Sequence, residues 1–599
     1  MSEAVIPEKN DTSTGELKFT VGKDGTPRIN LSVEQMPQFL VEANTAIEAG
    51  RIDEAAKLLC GQNIENIRRA TDLNECRPDV MFMLALMFFS VRDFHNSEIW
   101  FKEVLKRQPH ALVYHELGRI CMFTGRMSEA MEYRRKAVEA DPENARICYD
   151  YATDLIRVGR AHEGVDVLRK AVELAPEDPL THSKLLWSLS FLPDVNPQML
   201  LEEHKRWASI HAPANMARTS HRNDPNPDRR LRVGYISPDF RRHSVAYNFE
   251  AFLDGRDCNA FEVYGYGNIG LPDEVTERLR NKFDHYRHIR GLSNKAVAEL
   301  IQQDQVDILV EIGGHTVDNR LGVLAHKPAP IQVDYGGIST TGMQQIDYRL
   351  TDKVLDSTKT QRFYTEESVY LPTGLFCYNP PDFAPPVAPL PALMNGFVTF
   401  ASFNNSCKIN DNILPFWAEV LQNNENSRIL LKFRGGNDLN VKEHYLNRFE
   451  EFGIDRSRIE TCGWIPSVEH LKLYGRVDIA LDTYPYTGTL TSLEAMWMGV
   501  PVISLYDDSN GYFLSRAGLS ILSRIGLEFF ACSKPAEYVR KATALSLNPE
   551  ALAKIRSSMR TRMTNSALCD ANAFAAGAEA AYRKMWNKWC RNKERKDTV

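Results

Sequence analysis

The sequence predicts a multidomain chain in which an α-solenoid of helix pairs is followed by two Rossmann-like α/β lobes. Three observations carry this prediction. Prolines and glycines recur every 33 or 34 residues in the first third, strand-like and helix-like stretches alternate from residue 231 onward, and a proline-rich segment divides the alternating region. A chain of 599 residues is too long for one hydrophobic core, which agrees with several domains.

Composition and charge exclude several classes of protein. A formal net charge of −6 gives no basic field, so we expect no nucleic acid partner. Residues 1–14 lack the features of a secretory signal, and the longest uncharged apolar run, 80–91, is shorter than the ~20 residues needed to cross a bilayer. Eleven cysteines are scattered singly, as in a reducing compartment. We therefore predict a cytoplasmic protein without a membrane partner.

The first elements are a mobile arm over residues 1–30 and a repeat array over 31–195. Pro109, Pro142 and Pro176 each close one unit of the array. The glycines of Gly125-Arg126 and Gly159-Arg160 lie 34 residues apart, and glycine permits the tight turn between paired helices.

The pattern is similar to a tetratricopeptide array of about four units, the first two less regular. Such arrays commonly hold extended peptide on their concave face, so we expect protein or peptide acceptors as partners. The alternative is that the helices only support the rest of the chain.

The catalytic part of the chain is predicted from residue 196 onward. A helical connector and linker occupies 196–230, and a first α/β lobe occupies 231–371, with strands at 231–237, 261–266 and 306–312. A bridge over 372–396 contains seven prolines and is expected to be mainly extended. The second lobe covers 397–590, with strands at 397–400, 429–433, 477–481 and 500–505, and 591–599 forms a tail.

Open parallel sheets bind ligands beyond the carboxyl ends of their strands, so residues that follow predicted strands are the first candidates. After the strand ending at Leu481, small hydroxyl residues surround a glycine and lead into a helix, which would expose N–H groups to an anion such as a nucleoside diphosphate. These residues are Thr487, Gly488, Thr489, Thr491 and Ser492. Ordinary helix capping is the alternative. Glu494 in the same helix would either bind ribose hydroxyls or complement the helix dipole.

Three other strand ends carry candidate side chains. Asn405 and Lys408 follow the strand that opens the second lobe, where an amide and a cation can bind phosphate, although a lone lysine is usually a surface residue. His243 and His315 follow two strands of the first lobe, where they would either transfer protons or form structural hydrogen bonds.

Taken together, the ordered motifs resemble the O-GlcNAc transferase and SPINDLY family across roughly residues 31–590. The motifs are Leu-Arg-Val-Gly-Tyr-Ile-Ser-Pro-Asp-Phe at 231–240, Val-Asp-Ile-Leu-Val-Glu-Ile-Gly-Gly-His-Thr at 306–316, Lys-Pro-Ala-Pro-Ile-Gln-Val at 327–333, Asp-Tyr-Arg-Leu-Thr-Asp at 347–352 and Leu-Asp-Thr-Tyr-Pro-Tyr-Thr-Gly-Thr at 481–489. The resemblance implies repeats fused to a glycosyltransferase B-type catalytic region. That region transfers a sugar from a nucleotide to Ser or Thr of proteins with inversion, and neither a metal nor another cofactor is expected.

The resemblance also implies roles for individual residues. His243 corresponds to the family's active-site histidine, Lys408 to its diphosphate-binding lysine and Asn405 to the neighbouring amide. Glu494 corresponds to the ribose-binding acid, and His470 is expected near the base.

Further donor contacts are implied for the 487–492 turn, with Thr489 and Thr491 at the diphosphate. His315, Thr340 and Thr341 are candidate contacts to the acceptor or the sugar.

Three departures from the family pattern bear on function. Thr489 stands where animal O-GlcNAc enzymes have histidine and where the SPINDLY branch, which includes protein O-fucosyltransferases, has threonine. The segment Tyr335-Gly336-Gly337-Ile338-Ser339 replaces the usual Gly-Tyr-Pro, which affects the expected sugar or acceptor geometry. Asp307 occupies the position of an animal histidine and is not predicted to be catalytic.

The function predicted first is therefore transfer of N-acetylglucosamine from UDP-GlcNAc to Ser or Thr of proteins. The alternative donor is GDP-fucose, and the alternative class is an inactive peptide-binding scaffold. Transfer to Asn and a sugar-nucleotide epimerase are the remaining rivals.

Overall fold

The computed structural model of the protein describes residues 19–21, 27–29, 38–72, 77–337, 339–508 and 511–597. Apart from two short strands, the predicted N-terminal arm lies outside the described residues, as do residues 31–37 of the predicted array, Ile338 and the last two residues of the predicted tail. The chain divides into two compact units, residues 1–154 and 155–599.

The described part of the first unit is helical apart from one antiparallel strand pair, β1 (Phe19–Val21) and β2 (Pro27–Ile29). Its helices are α1 (Gln38–Glu48), α2 (Ile52–Leu58), α3 (Gln62–Asp72), α4 (Pro78–Ser90), α5 (Phe94–Arg107), α6 (Ala111–Phe123), α7 (Met127–Ala140) and the start of α8 (Ala145–Arg157).

The predicted turns between paired helices are confirmed. Gly50 and Gly125 have φ values of 72° and 80°, in the left-handed region that glycine adopts without strain. Arg92 occupies the equivalent turn between α4 and α5 with φ 62°. A non-glycine turn there, together with the additional helix α3, explains why the early repeats have no regular signature in the sequence.

The second unit begins with the last helices of the array. These are the end of α8, then α9 (Ala161–Leu174), α10 (Pro179–Leu189) and α11 (Pro197–His211). Gly159 turns the chain between α8 and α9 with φ 89°, and a Cβ at this position would lie 3.4 Å from the carbonyl oxygen of Ile409 in the second lobe. The end of the array therefore packs directly on an α/β lobe.

The first lobe is a seven-stranded, fully parallel sheet with the order β5-β4-β3-β6-β7-β8-β9. Its strands are β3 (Leu231–Ser237), β4 (Phe261–Gly267), β5 (His285–His288), β6 (Ile308–Glu311), β7 (Ile331–Tyr335), β8 (Tyr348–Thr351) and β9 (Glu367–Tyr370). Its helices are α12 (Ser244–Gly255), α13 (Glu274–Arg280), α14 (Asn294–Gln303) and α15 (Leu321–Leu324).

The second lobe is a six-stranded parallel sheet with the order β12-β11-β10-β13-β14-β15. Its strands are β10 (Val398–Ser402), β11 (Ser427–Lys432), β12 (Ile459–Cys462), β13 (Ile479–Leu481), β14 (Val502–Leu505) and β15 (Ala531–Cys532). Its helices are α16 (Pro391–Asn395), α17 (Leu414–Gln422), α18 (Leu439–Glu451), α19 (Ser467–Leu473), α20 (Leu490–Trp497), α21 (Ala517–Arg524), α22 (Pro535–Ser546) and α23 (Pro549–Thr564).

All seven predicted strands exist, which confirms the two parallel α/β lobes. The sequence did not single out β5, β7, β8, β9, β12 and β15, which are two to five residues long. The predicted bridge runs without helix or strand from 371 to 390 and ends in the short helix α16, with Pro391 at its first position, where proline suits a helix.

The last helix, α24 (Ala571–Asp597), returns to the first lobe, although the predicted boundaries place most of it in the second. It packs along α12, and Tyr582 Oη lies 3.4 Å from Tyr235 Oη in β3. The helix also continues through most of the predicted tail. Within the described residues, no helix has the length and apolar character needed to span a membrane.

Candidate active site

The carboxyl ends of the two sheets open onto a cleft with two adjoining cavities, of about 530 Å³ and about 180 Å³. His243, Ser244 and Leu490 line both cavities, so the two are continuous around these residues. Each lobe supplies part of the lining of both cavities. This is the position at which open parallel sheets bind ligands.

Lys408 lines the larger cavity from the second lobe. Its half-buried ammonium group donates to the carbonyl oxygen of Thr487 at 2.9 Å and lies 3.8 Å from the ring centroid of Tyr486. Burial lowers the pKa of Lys408 to about 8, and the nearby Asp482 opposes that shift. Lys408 forms no ion pair with any described residue, so its charge is available to an anion.

The loop that follows β13 is held from behind by Asp482. This buried carboxylate accepts from the N–H of Gly488 at 2.7 Å and from Ser504 Oγ at 2.8 Å, and burial raises its pKa to about 6. Thr487 Oγ1 donates to the carbonyl oxygen of Leu514 at 2.7 Å.

These contacts correct two predictions. The Gly488 N–H is bonded within the loop and the Thr487 hydroxyl is bonded to Leu514 of another segment, so neither is placed to bind a diphosphate.

The start of α20 faces the larger cavity. Thr489 occupies its N-cap position but makes no side-chain cap, which leaves the first-turn N–H groups and the positive end of the helix dipole toward the cleft. Thr491 lines the cavity and donates to Asn404 Oδ1 at 3.0 Å, while Asn405 lines it from the neighbouring loop. Ser492 is buried and does not line the larger cavity, so it is less accessible than predicted.

Glu494 and His470 meet in the smaller cavity. His470 Nε2 lies 3.1 Å from Glu494 Oε2, and the two side chains are only 13% and 18% exposed. His470 Nδ1 is buried without a hydrogen-bond partner among the described residues. A buried polar atom of this kind is expected to bond to a ligand or to water.

His243 lies at the N-cap of α12, where the two cavities join. Its Nδ1 lies 3.4 Å from the N–H of Val245 and 3.5 Å from Asp239 Oδ2. Burial lowers the pKa of His243 and raises the pKa of Asp239. The imidazole is therefore mainly neutral at pH 7 and able to accept a proton.

The second predicted histidine, His315, lines neither cavity. It is 2% exposed, with Nδ1 3.0 Å from Ser183 Oγ and Nε2 3.2 Å from the carbonyl oxygen of Thr341. Its ring packs against His204 and Trp207, and burial holds its pKa well below the ordinary range. His315 therefore joins α10 and α11 to the first lobe, and the prediction that it contacts acceptor or sugar is not supported.

Thr340 and Thr341 are also turned away from the cleft. Both are 1% exposed, and both hydroxyls donate to the buried carboxylate of Glu366, with Thr340 at 2.7 Å. These contacts fix the loop after β7, so neither hydroxyl is placed to make the predicted contact to sugar or acceptor. Asp307, which was not predicted to be catalytic, is buried in an ion pair with Arg229 of the linker.

Sequence reasoning missed two groups of cleft residues. Trp187 and Phe191, in and after α10, line the larger cavity, and Tyr378 and Asn379 of the bridge line the smaller one. No motif marks these residues, because they enter the cleft only through packing between distant segments.

Comparisons with known proteins agree with this architecture. The sequence matches the family described as glycosyl transferase family 41 over residues 206–382 and 390–577, and a tetratricopeptide repeat over 111–144. A solved structure of a mutant Thermobaculum terrenum O-GlcNAc transferase is 31% identical, with a TM-score of 0.79. The match covers 89% of this chain and all of that one.

Curated relatives include plant and animal proteins. The Arabidopsis thaliana protein named probable UDP-N-acetylglucosamine–peptide N-acetylglucosaminyltransferase SPINDLY is 37% identical over 412 residues, which are 68% of this chain and 45% of that protein. The Caenorhabditis elegans UDP-N-acetylglucosamine–peptide N-acetylglucosaminyltransferase is 22% identical over 60% of this chain and 41% of its own. The chain thus spans less than half the length of these relatives. Because the family match covers more than half of the chain and both lobes, the chain belongs to glycosyl transferase family 41, the family of the O-GlcNAc transferases and SPINDLY proteins.

Proposed function

We propose that the protein is a nucleotide-sugar-dependent O-glycosyltransferase that modifies Ser or Thr of polypeptides. The observation that carries this proposal is Lys408, a half-buried ammonium group without an ion-pair partner among the described residues, beside an uncapped helix start. Desolvation of a lysine is unfavourable unless an anion compensates for it. A sugar nucleotide supplies such an anion in its diphosphate.

The donor is proposed to occupy both cavities. Its diphosphate lies between Lys408 and the first turn of α20, where Thr489 and Thr491 line the wall. Its nucleoside extends into the smaller cavity, where Glu494 accepts from ribose hydroxyls and His470 offers its unbonded Nδ1. His243 also lines the larger cavity, so a sugar that folds back over the diphosphate lies beside its imidazole.

The reaction is a single displacement with inversion. The acceptor hydroxyl oxygen forms a bond to the anomeric carbon while the bond from that carbon to the diphosphate oxygen breaks. The leaving nucleoside diphosphate gains negative charge, which Lys408 and the α20 dipole stabilise more strongly in the transition state than in the bound donor. The hydroxyl proton leaves the acceptor, and His243 is positioned to receive it.

Asp239 assists His243 in this scheme. Nδ1 of His243 accepts from the N–H of Val245 at 3.4 Å and also lies 3.5 Å from Asp239 Oδ2. When the Val245 contact is exchanged for an Nδ1 proton shared with Asp239, Nε2 is left for the acceptor hydroxyl. When the imidazole becomes charged, the nearby carboxylate stabilises it. The scheme assigns charge stabilisation to Lys408 and therefore keeps the prediction that no metal is required.

Polypeptide acceptors and a cytoplasmic location complete the proposal. The acceptor assignment is supported by the tetratricopeptide match and by the names of the relatives, of whose length the match covers less than half. For the donor, those names favour UDP-GlcNAc. Thr489, at the start of α20, supports GDP-fucose as the second candidate. The SPINDLY branch, which includes protein O-fucosyltransferases, has threonine at this position, whereas the animal O-GlcNAc enzymes have histidine.

The test is mass spectrometry of Ser/Thr-containing acceptor peptides after incubation with UDP-GlcNAc or GDP-fucose. Parallel reactions use Lys408→Met and, as a control of similar burial, Lys541→Met, whose lysine is 19% exposed and paired with Glu537 outside the cleft. We expect a mass increase of one sugar from one donor, lost in Lys408→Met and kept in Lys541→Met.

Two results would contradict the proposal. If neither donor is transferred and neither nucleotide binds, the scaffold alternative is favoured. If transfer persists in Lys408→Met at the wild-type rate, the assigned diphosphate site is wrong.

A further inference from the structure

The larger cavity has an aromatic wall that the proposed chemistry does not use. Trp187 and Phe191 come from the last helix pair of the array, and Tyr486 comes from the loop after β13. The rings of Trp187 and Phe191 meet edge to face with centroids 4.5 Å apart, and Phe191 stacks on Tyr486 at 5.3 Å with an interplanar angle of 11°. We call these three residues the aromatic ledge.

The members of the ledge differ in exposure. Phe191 is 1% exposed and is covered by its two neighbours, whereas Trp187 is half-buried and presents its indole to the cavity. Lys184 Nζ lies 4.3 Å from the Trp187 ring centroid, which helps to fix the indole. Trp187 is therefore a preorganised apolar surface, and Phe191 supports it.

The ledge leads away from the donor site. Lys408 Nζ lies over the Tyr486 ring. In this series of contacts Phe191 comes between Tyr486 and Trp187, so Trp187 is the ledge residue that is separated from the lysine by both other rings. The polar groups assigned to the donor, including Asn405 and Thr491, belong to the second lobe. Trp187 belongs to α10, one of the last helices of the array, and arrays of this type commonly hold peptide.

Resting on the proposed function, we propose that Trp187 forms an acceptor subsite for an apolar or aromatic side chain flanking the modified Ser or Thr. Phe191 is a positioning residue in this scheme, since it holds both Trp187 and Tyr486. Contact with the indole removes apolar surface of the acceptor from water, and partial burial of one such side chain predicts a preference of roughly tenfold over alanine.

The experiment uses matched peptides with one Ser and a flanking Ala, Leu, Phe or Asp, together with whichever donor the full-length protein transfers. Measured values are kcat/KM for each peptide, KM for the donor and the rate of donor hydrolysis. Variants are Trp187→Ala, Trp187→Phe and, as a control on the same helix, Leu180→Ala, whose side chain is 46% exposed and does not line the cleft.

We expect the wild type, Leu180→Ala and Trp187→Phe to prefer Leu or Phe peptides, and Trp187→Ala to lose that preference with unchanged donor KM and hydrolysis. A wild type without an apolar preference overturns the inference even if no variant folds. The inference is also overturned if Trp187→Ala keeps the preference. It is overturned as well if the donor KM of Trp187→Ala rises by the factor by which the peptide preference falls, because Trp187 would then be a donor contact. A wild type that modifies no peptide contradicts the proposed function itself, whereas transfer without preference contradicts only the subsite.

Discussion

The two lobes share a parallel-sheet architecture but present different ionisable groups to the cleft. The first lobe contributes His243 and Asp239. In its sheet, Glu311 of β6 and Asp334 of β7 lie at neighbouring positions, and burial raises the pKa of both carboxyl groups. The second lobe contributes the ammonium group of Lys408 and the start of α20. One face of the cleft can thus accept a proton, and the other can stabilise negative charge.

The fold therefore determines where the site lies, and the side chains determine which half of the reaction each lobe supports. Even the buried aspartates differ. Asp482 of the second lobe accepts from several donors and fixes the loop beside Lys408, whereas both oxygens of Asp334 lack a hydrogen-bond partner among the described residues. Separate substitutions in each lobe should therefore have separable effects.

The largest expected effect is that of Lys408→Met in the second lobe. Loss of the cation should lower kcat/KM by about 10³ and weaken binding of the nucleoside diphosphate product, because the developing charge loses its partner. The melting temperature should stay the same or rise, since burial lowers the pKa of Lys408 to about 8 and thus opposes its charged form. Steady-state kinetics and thermal unfolding measure both quantities.

Lys541→Met is the matched control, with activity and product affinity expected to be unchanged. A large fall in melting temperature of Lys408→Met would show that the lysine stabilises the fold. The role assigned to the second lobe, stabilisation of negative charge in the cleft, would then lose its support.

The first lobe can be tested through two of its histidines, His243 and His315. His243→Ala should lower kcat by about 10², the scale of general-base catalysis, and should cost no more than about 1 kcal/mol of stability, because the side chain is 36% exposed and caps α12 with one long hydrogen bond. His315→Ala should destabilise the protein by about 2–4 kcal/mol, because it leaves a cavity and two unsatisfied partners, and should retain most of kcat at low temperature.

Each variant serves as the control of the other. Denaturant unfolding and kcat measured on both proteins give four values. If His315→Ala loses activity without losing stability, the buried histidine has a catalytic role that its position does not suggest.

The sequence predicted the sheets and the loops but not the direction of each side chain. Strong strand patterns located β3, β6, β10 and β13, and ligand sites follow from the ends of such strands. The histidines at 243 and 315 follow two of these strands with equal local signals. Their difference arises from packing, because α10 and α11 supply the partners that turn His315 away from the cleft.

The sequence also could not predict contacts between distant segments. Gly488 and Thr487 have the composition of an anion-binding loop, yet Asp482 and Leu514 use their polar groups. Trp187 stands in a repeat helix, and no motif marks it in the sequence. Only the fold brings it beside Tyr486, so no local pattern could have identified it.

A smaller effect is expected for Glu494→Gln. The amide keeps an oxygen for ribose but loses the carboxylate oxygen that lies 3.1 Å from His470 Nε2, so the donor KM should rise about tenfold while kcat changes less than threefold. Glu469→Gln, a 54% exposed glutamate on α19, is the control and should match the wild type. An equal fall in kcat would indicate a role for Glu494 in the transition state instead of donor binding.

The smallest effect is a shift in the pH profile, and it separates the lobes without a mutation. Burial lowers the pKa of His243, so the acid limb of kcat/KM should lie below pH 6.5, where protonation removes the base. The alkaline limb of kcat/KM for the donor should lie near pH 8, where free Lys408 loses its proton. A bound diphosphate favours the charged lysine, so the alkaline limb of kcat should move to higher pH. Alkaline limbs at the same pH for kcat and kcat/KM would show that Lys408 does not contact the diphosphate, and the division of roles between the lobes would then need another cation.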